Sequence, residues 1–179
     1  MTAAGLARDP LPRLTLVLGG VRSGKSRYAE RLVLESGLAP VYLATAEALD
    51  DEMAARIAAH RARRGPEWRA LEVPLELAAA LTRECAAGRA VLVDCLTLWL
   101  TNLMVHERPV DAEIERLIEV LPGLPGALVL VSNEVGQGVV PVAAMARAFV
   151  DRAGVLHQRI AERADAVVLM TAGLPQRLK

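Results

Sequence analysis

Apolar and polar positions follow one another in blocks along this chain, with short apolar runs separated by longer amphipathic stretches. Uninterrupted apolar runs are typical of parallel strands, because helices cover both faces of such a sheet. Amphipathic stretches between them indicate the connecting helices, so the order predicts an α/β domain with a mostly parallel sheet. The predicted strands are residues 14–18, 41–44, 90–93, 127–131 and 166–170, with an edge strand at 69–73 and a closing strand at 173–178.

Residues at the ends of the amphipathic stretches support the predicted helices. Gly37 and Gly88 stand where the first and third helices end, as glycine commonly does. Acidic residues from Asp50 and basic residues up to Arg64 lie at opposite ends of the second, where they complement the helix dipole. The predicted helices are Lys25–Glu35 and residues 50–64, 75–87, 112–121 and 142–164.

The segment from Gly19 to Ser26, GGVRSGKS, directly follows the first predicted strand and opens the first helix. It matches the phosphate-binding loop: a glycine, four residues, then Gly-Lys-Ser/Thr. The glycines let backbone N–H groups approach phosphate oxygens, and the helix N-terminus favours the same anion. Lys25 would reach the β and γ phosphates, while Ser26 would coordinate Mg²⁺. The sequence therefore predicts a nucleoside triphosphate site.

Size and charge narrow the class of protein. A chain of 179 residues suits one domain, predicted at 14–179, preceded by a flexible tail at 1–13. The formal net charge of zero provides no global field for nucleic acid or anionic membranes. No apolar run approaches bilayer-spanning length, so we expect a cytoplasmic protein. Cys85 and Cys95 are too few for a disulfide framework and are interpreted as buried thiols.

Asp94 closes the apolar run of the predicted strand at 90–93. In parallel sheets, ligands bind outside the carboxyl ends of the strands, where such an acid can hold Mg²⁺ beside the phosphates. The alternative is that Asp94 caps the next helix. Together with the phosphate-binding loop, the metal-binding interpretation is favoured.

His60 lies late in the second predicted helix, on the same face as Arg56 and Arg64. One interpretation is a solvated basic face. The other is a nucleophile, with a neutral imidazole nitrogen attacking phosphorus while guanidinium groups stabilise the developing charge. Composition and spacing leave both open.

The segment 132–141, SNEVGQGVVP, follows a strand and precedes a long helix. Its glycines and proline predict an irregular loop at the carboxyl edge of the sheet, where Asn133 and Glu134 offer polar contacts; an ordinary connection is the alternative. His106 and His157 are interpreted as structural or solvent-facing, and the two tryptophans as packing residues.

Taken together, these segments resemble the bifunctional adenosylcobinamide kinase/adenosylcobinamide-phosphate guanylyltransferase family of cobalamin assembly. The resemblance covers almost the whole chain after the first dozen residues. Its most specific part is the combination of the phosphate-binding loop with DDEM, the isolated His60 and NEVG. The segments that carry it are residues 18–27, 42–46, 50–53, 56–57, 60–61, 94–102, 132–136, 138–141 and 172–175.

The resemblance implies a RecA-like P-loop fold, a three-layer α/β sandwich, and two reactions. A triphosphate, ATP or GTP, phosphorylates adenosylcobinamide; GTP then passes GMP through a histidine to the phosphorylated corrinoid, releasing pyrophosphate. By resemblance, His60 is the guanylylated residue, Ser26 and Asp94 bind Mg²⁺, and the enzyme is a homo-trimer. The nucleotide contacts carried over are Gly19, Gly20, Val21, Arg22, Ser23, Gly24, Lys25, Ser26, Ala44, Thr45, Ala46, Arg61, Ala62, Arg63, Arg64, Glu72 and Asp94.

Two rival functions remain at this point. A simple small-molecule kinase would transfer the γ-phosphate without a protein-bound GMP. A nucleotide-dependent regulatory NTPase would hydrolyse slowly and use the loop at 133–141 to respond to a partner.

Overall fold

The computed structural model describes residues 10–48, 51–62 and 64–179, and within them seven strands form a single sheet. The strands are β1 (Leu14–Gly19), β2 (Ala39–Ala44), β3 (Arg69–Glu72), β4 (Arg89–Asp94), β5 (Ala127–Asn133), β6 (Ala166–Thr171) and β7 (Leu174–Arg177). The helices are α1 (Lys25–Glu35), α2 (Asp51–Ala62), α3 (Leu77–Glu84), α4 (Leu96–Val105), α5 (Val110–Val120) and α6 (Ala144–Arg163), with a short 3₁₀ helix at Leu121–Gly123.

Alternate residues of each central strand enter different apolar clusters on the two faces of the sheet. In β1, Leu16 and Leu18 pack on the face covered by α3 to α6, whereas Val17 packs on the face covered by α1. Helices and buried apolar side chains cover both faces of the sheet, which is why these strands are apolar throughout. The result is the predicted three-layer α/β sandwich.

The strand order is β3-β2-β4-β5-β1-β6-β7, and all neighbours are parallel except β6 and β7. β1 lies between β5 and β6, and α1 contacts β1, β5 and β4 as it carries the chain across to β2. The carboxyl ends of the parallel strands therefore meet at one edge, and the segment after β1 lies near the middle of that edge.

The predicted strands are confirmed, including the edge strand at 69–73 and the closing strand at 173–178. α1 is confirmed residue for residue, and the other predicted helices differ at their ends. α4 was not predicted, because it is buried on nearly every side. Since Leu96, Trp99, Leu100 and Leu103 are all fully buried, the segment has no polar face to reveal a helical period.

The described end of the predicted tail is held against the domain. Leu11 packs on the apolar cluster of the α1 face, and the Arg13 guanidinium donates to the carbonyls of Pro122 and Leu124 at 3.3 and 3.1 Å. The predicted flexibility of residues 1–9 lies outside the described residues. Among the helices in the described ranges, none is both long and apolar enough to span a membrane.

Candidate active site

The loop between β1 and α1 requires glycine at two positions. Gly19 has φ 155°, and a Cβ there would lie 2.6 Å from both the Met170 carbonyl oxygen and the Ser23 Oγ. Gly24 precedes α1 with φ 95°, a left-handed conformation that disfavours side chains. The Gly173 N–H donates to the Ser23 carbonyl at 3.0 Å, which ties the loop to the β6–β7 turn.

A cavity of about 800 Å³ opens beside this loop at the carboxyl edge of the sheet. This volume lies within the range of small-molecule sites. Its walls come from the loop, β2, β4, the α2 region and the β6–β7 turn. The polar and charged lining residues include Arg22, Ser23, Lys25, Ser26, Arg27, Tyr28, Arg31, Tyr42, Arg64, Asp94 and Asn133.

Lys25 is buried at the start of α1, with 7% of its surface exposed. Its Nζ donates to the Gly20 carbonyl at 2.7 Å, so the ammonium lies within the curve of the loop. Burial lowers the pKa of Lys25, and the nearby Asp94 carboxylate partly opposes this effect. A buried cation facing a cavity would be further stabilised by phosphate oxygens.

Asp94 ends β4 and is paired in register with Ala44 of β2, so both residues face the cavity edge. The Tyr42 hydroxyl donates to Asp94 Oδ2 at 2.9 Å. Burial and the negative charge of Asp94 raise the pKa of Tyr42, which therefore stays protonated and remains a donor.

Arg64 is stacked on Tyr42, with its guanidinium carbon 3.9 Å from the ring centroid. Trp68 meets the same ring edge-on, at a centroid distance of 5.7 Å and an interplanar angle of 84°. These contacts hold the segment after α2 against β2, so that Arg64 lines the cavity.

A buried network supports the segment that follows β2. The Thr45 hydroxyl donates to the Cys95 carbonyl at 2.7 Å and accepts from the Cys95 N–H at 2.8 Å, while Asn102 donates to the Thr45 carbonyl at 2.7 Å. Thr45 is fully buried, and its neighbours Ala44 and Ala46 line the cavity. Burial raises the pKa of Cys95 to about 11, which keeps it a thiol. The network therefore fixes the backbone of this segment.

His60 lies in α2, but its side chain is outside the described residues, as is all of Arg63. Ile57 of the same helix lines the cavity, and positions three apart share one face of a helix. Arg61 forms an ion pair with Glu72 at the end of β3, which brings two of the residues carried over by resemblance together. Both side chains are largely exposed.

The structure brings most of the predicted site residues to one place. Val21 to Ser26, Ala44, Ala46, Arg64 and Asp94 line the cavity. Among the described residues, the remaining predicted contacts lie outside its wall: Gly19, Gly20, Thr45, Arg61, Ala62 and Glu72. Of these, Gly19, Gly20 and Thr45 shape the wall through their backbone positions.

Several lining residues escaped sequence reasoning. Tyr42 lies two positions before Ala44 in β2, so strand alternation places both on one face and could have revealed it. Tyr28 and Arg31 lie on α1, and Ala172 and Gly173 come from the β6–β7 turn. Residues 172–175 belong to the segments that carry the resemblance, but their place at the site was not predicted, because only the pairing of β6 with β1 brings the turn to the loop.

The donors at the cavity suit a hard divalent cation. Ser26 and Asp94 both line it and offer a hydroxyl and a carboxylate oxygen. Mg²⁺ is typically held by one or two such protein groups together with substrate phosphates rather than by an all-protein cage. In agreement, the described part of the chain has no group of three or more His, Cys, Asp or Glu side chains placed to hold a metal.

Asn133, the last residue of β5, lines the cavity. Its side-chain amide donates to Thr97 Oγ1 at 2.7 Å, linking the end of β5 to α4. His157, predicted to be structural or solvent-facing, is buried and its Nε2 lies 2.7 Å from Ser132 Oγ. His106 pairs with Glu47 at 2.8 Å near the surface.

Comparison with known proteins shows which family this chain is similar to. A family model described as cobinamide kinase / cobinamide phosphate guanyltransferase matches residues 15–178. The chain is 60% identical over 166 residues to the bifunctional adenosylcobalamin biosynthesis protein CobP of Pseudomonas aeruginosa, covering 92% of this chain and 96% of that protein. It is 42% identical over 183 residues to the corresponding CobU of Salmonella typhimurium, covering 93% and 99%.

Similar solved structures confirm the fold. A RadB recombinase superposes with a TM-score of 0.51 at 16% identity, covering 89% of this chain and 74% of that one. An ATPase of a type III secretion system superposes with a TM-score of 0.57 at 9% identity, covering 90% and 51%. At these identities the likeness concerns the arrangement of sheet and helices.

Proposed function

The chain belongs to the cobinamide kinase / cobinamide phosphate guanyltransferase family, and we propose that it carries out both reactions at the cavity beside the phosphate-binding loop. The observation that carries this proposal is the convergence of Lys25, Asp94 and Arg64 on one cavity, with the helix that bears His60 at its wall. The substrates of the first reaction are adenosylcobinamide and ATP or GTP. The substrates of the second are GTP and the phosphorylated corrinoid.

In the first reaction, the hydroxyl oxygen of the aminopropanol arm attacks the γ-phosphorus. The bond between that phosphorus and the bridging oxygen of the β-phosphate breaks, and the nucleoside diphosphate leaves. Lys25 and the backbone N–H groups after Gly19 would bind the β and γ phosphates and stabilise the charge that develops there.

In the second reaction, a neutral imidazole nitrogen of His60 attacks the α-phosphorus of GTP, and pyrophosphate leaves with the bonding electrons. A phosphate oxygen of the phosphorylated corrinoid then attacks the same phosphorus. The phosphorus–nitrogen bond breaks, His60 is regenerated, and adenosyl-GDP-cobinamide forms. Arg64 would neutralise triphosphate charge near the nucleophile; Arg61 and Arg63 are assigned to the same role by resemblance.

Magnesium fits this site, since Ser26 and Asp94 provide oxygen ligands at the cavity. When bound, it would neutralise phosphate charge and orient the bridging oxygens. The Asp94 carboxylate already accepts a hydrogen bond from the Tyr42 hydroxyl.

Guanylylation of His60 is tested by incubating the protein with GTP labelled at the α-phosphate. We expect label that stays on the protein, is lost in acid and survives in base. His60→Ala should abolish it, and His106→Ala, which removes an exposed histidine directly after α4, should retain it.

Label that persists in His60→Ala would overturn the assignment. Corrinoid-dependent transfer of the γ-phosphate without any protein-bound GMP would favour the simple kinase. Slow hydrolysis that is unaffected by cobinamide, together with no binding of cobinamide, would favour the regulatory NTPase.

We further propose a homo-trimer in the cytoplasm. Support for association comes from an apolar surface on the loop after β5 and the start of α6, where Val139, Val140, Val142 and Met145 are 96%, 73%, 95% and 70% exposed. Side chains of this kind in one short stretch are typical of surfaces that bind another protein.

A further inference from the structure

Tyr42 contacts an acidic and a basic residue of the cavity, although it was not among the predicted site residues. It lies in the middle of β2 with only 3% of its surface exposed. Its hydroxyl donates to Asp94 Oδ2 at 2.9 Å, across the β2–β4 pair. The end of β4 is therefore held by a side chain from the neighbouring strand.

The ring of Tyr42 makes a second, separate contact. The guanidinium of Arg64 lies over its face, 3.9 Å from the centroid, and Trp68 packs against it edge-on. A cation over an aromatic face is attracted by the ring quadrupole, and the attraction grows as water is excluded. The ring thus holds the segment directly after α2, the helix that carries His60.

We propose that Tyr42 is a positioning residue for the nucleoside triphosphate: its hydroxyl orients Asp94 toward the divalent cation, and its ring holds Arg64 over the phosphates. The inference rests on the proposed function and deepens it. One rigid side chain, held by a T-shaped ring contact with Trp68, sets the acidic and the basic contacts of the nucleotide relative to each other. The two contacts use different parts of the side chain, so they can be removed separately.

Tyr42→Phe removes the hydroxyl and keeps the ring. Calorimetric titration with GTP should show affinity lowered about threefold to tenfold in the presence of Mg²⁺, the loss expected for a charge-assisted hydrogen bond. In EDTA the variant should bind GTP as the wild type does, because the Asp94 carboxylate then has no cation to hold. No loss with Mg²⁺, or the same loss in EDTA, would contradict the role of the hydroxyl.

Arg64→Lys keeps the positive charge and loses the flat guanidinium that stacks on the ring. We expect GTP affinity to fall about fivefold both with Mg²⁺ and in EDTA, the range of a desolvated cation–π contact. In Tyr42→Leu, which lacks the ring, adding Arg64→Lys should have little further effect. An undiminished effect in that background would contradict the role of the ring.

The double variant Tyr42→Phe with Arg64→Lys tests whether the hydroxyl and the ring act separately, even if Tyr42→Leu does not fold. Because hydroxyl and ring act on different residues, the two losses of affinity should multiply with Mg²⁺. A combined loss no larger than either single loss would mean that both substitutions disturb one general feature of the packing. Thr82→Ala, which removes an exposed hydroxyl bonded within α3, should bind GTP like the wild type.

Failure of the proposed function is distinguishable from failure of this inference. If the wild type binds GTP but takes no label from its α-phosphate, the guanylyl transfer is wrong while the titrations still decide the role of Tyr42. If the wild type is labelled and both substitutions leave binding unchanged, the role of Tyr42 is wrong. Where labelling occurs, Tyr42→Phe should also raise the Mg²⁺ concentration at half-maximal rate.

Discussion

At the scale of single residues, the site depends on a buried cation and on two glycines that no other residue could replace without strain. Lys25 is a buried cation, Gly24 has a left-handed backbone, and Gly19 has carbonyl and hydroxyl oxygens where a Cβ would be. Burial of the cation is costly without a compensating contact, and the Gly20 carbonyl provides one, whereas glycine adopts the two backbone conformations without steric cost. These three requirements are concentrated in the phosphate-binding loop.

Lys25→Ala should disable both reactions, because both use the same phosphate-binding loop. We expect each rate to fall about 100-fold or more, the usual cost of removing a group that stabilises developing charge. Steady-state assays of phosphorylation and of guanylyl transfer measure this. Full transferase activity would contradict a shared cavity.

The chain offers a matched control in its other lysine. Lys179 lies at the C-terminus, where its Nζ donates to the carbonyls of Ala161 and Glu162. Lys179→Ala should keep both activities.

At the scale of elements, polar contacts between neighbouring elements decide what the sheet edge presents. Asn133 links β5 to α4, Thr45 links the β2 segment to Cys95, and His157 of α6 contacts Ser132 of β5. Thr45, Ser132 and His157 are buried and paired, as buried polar groups must be, and Asn133 is paired at the cavity wall. The elements that form the cavity are consequently held in register by these side-chain contacts.

The His157 contact makes stability depend on pH. Burial lowers the pKa of His157 below its ordinary value, with Glu134 partly opposing this. The unfolded chain then takes up the proton at a higher pH than the folded protein. The free energy of unfolding should therefore be largest above about pH 6.5 and decrease below it, by at most about 1.4 kcal/mol per pH unit for one proton.

His157→Gln tests this dependence, because glutamine can still bond with Ser132 and does not titrate. Urea unfolding measured between about pH 5 and pH 8 should show a shallower loss of stability toward acid than in the wild type. Curves that run parallel over this range would show that His157 does not cause the loss.

At the scale of the whole molecule, the cavity of the proposed reactions lies at one end of the parallel strands, and an apolar surface lies next to it. β5 ends at Asn133, which lines the cavity, and the loop after it continues to the exposed Val139 and Val142. Association through this surface would bring a second copy of the chain close to the site. Burial of large apolar side chains provides the driving force.

Val139→Asp together with Val142→Asp should therefore weaken the assembly. Size-exclusion chromatography with light scattering should show a lower mass than for the wild type. Val155→Asp, at another exposed valine on α6, should leave the mass unchanged. An unaltered mass in the double variant would exclude this surface from the contact between copies.

Much of this molecule could be predicted from local pattern. The central strands were visible because burial on both faces makes them apolar, and α1 was visible because a glycine-rich loop and Gly37 mark its two ends. The same reasoning missed α4, since a helix buried on every side has no polar face. It also placed α5 one to two residues too late along the chain and could not show that His157 is buried.

By itself, the sequence determined the α/β class, the phosphate-binding loop and the family, because these depend on short-range order and on motifs with strict spacing. Only the tertiary structure decided which side chains meet. Tyr42, Asp94 and Arg64 are far apart in sequence, and the pairing of β2 with β4, together with the segment returning after α2, brings them to one cavity. Contacts of this kind leave no trace in local periodicity, since they arise from strand order and not from neighbours in the chain.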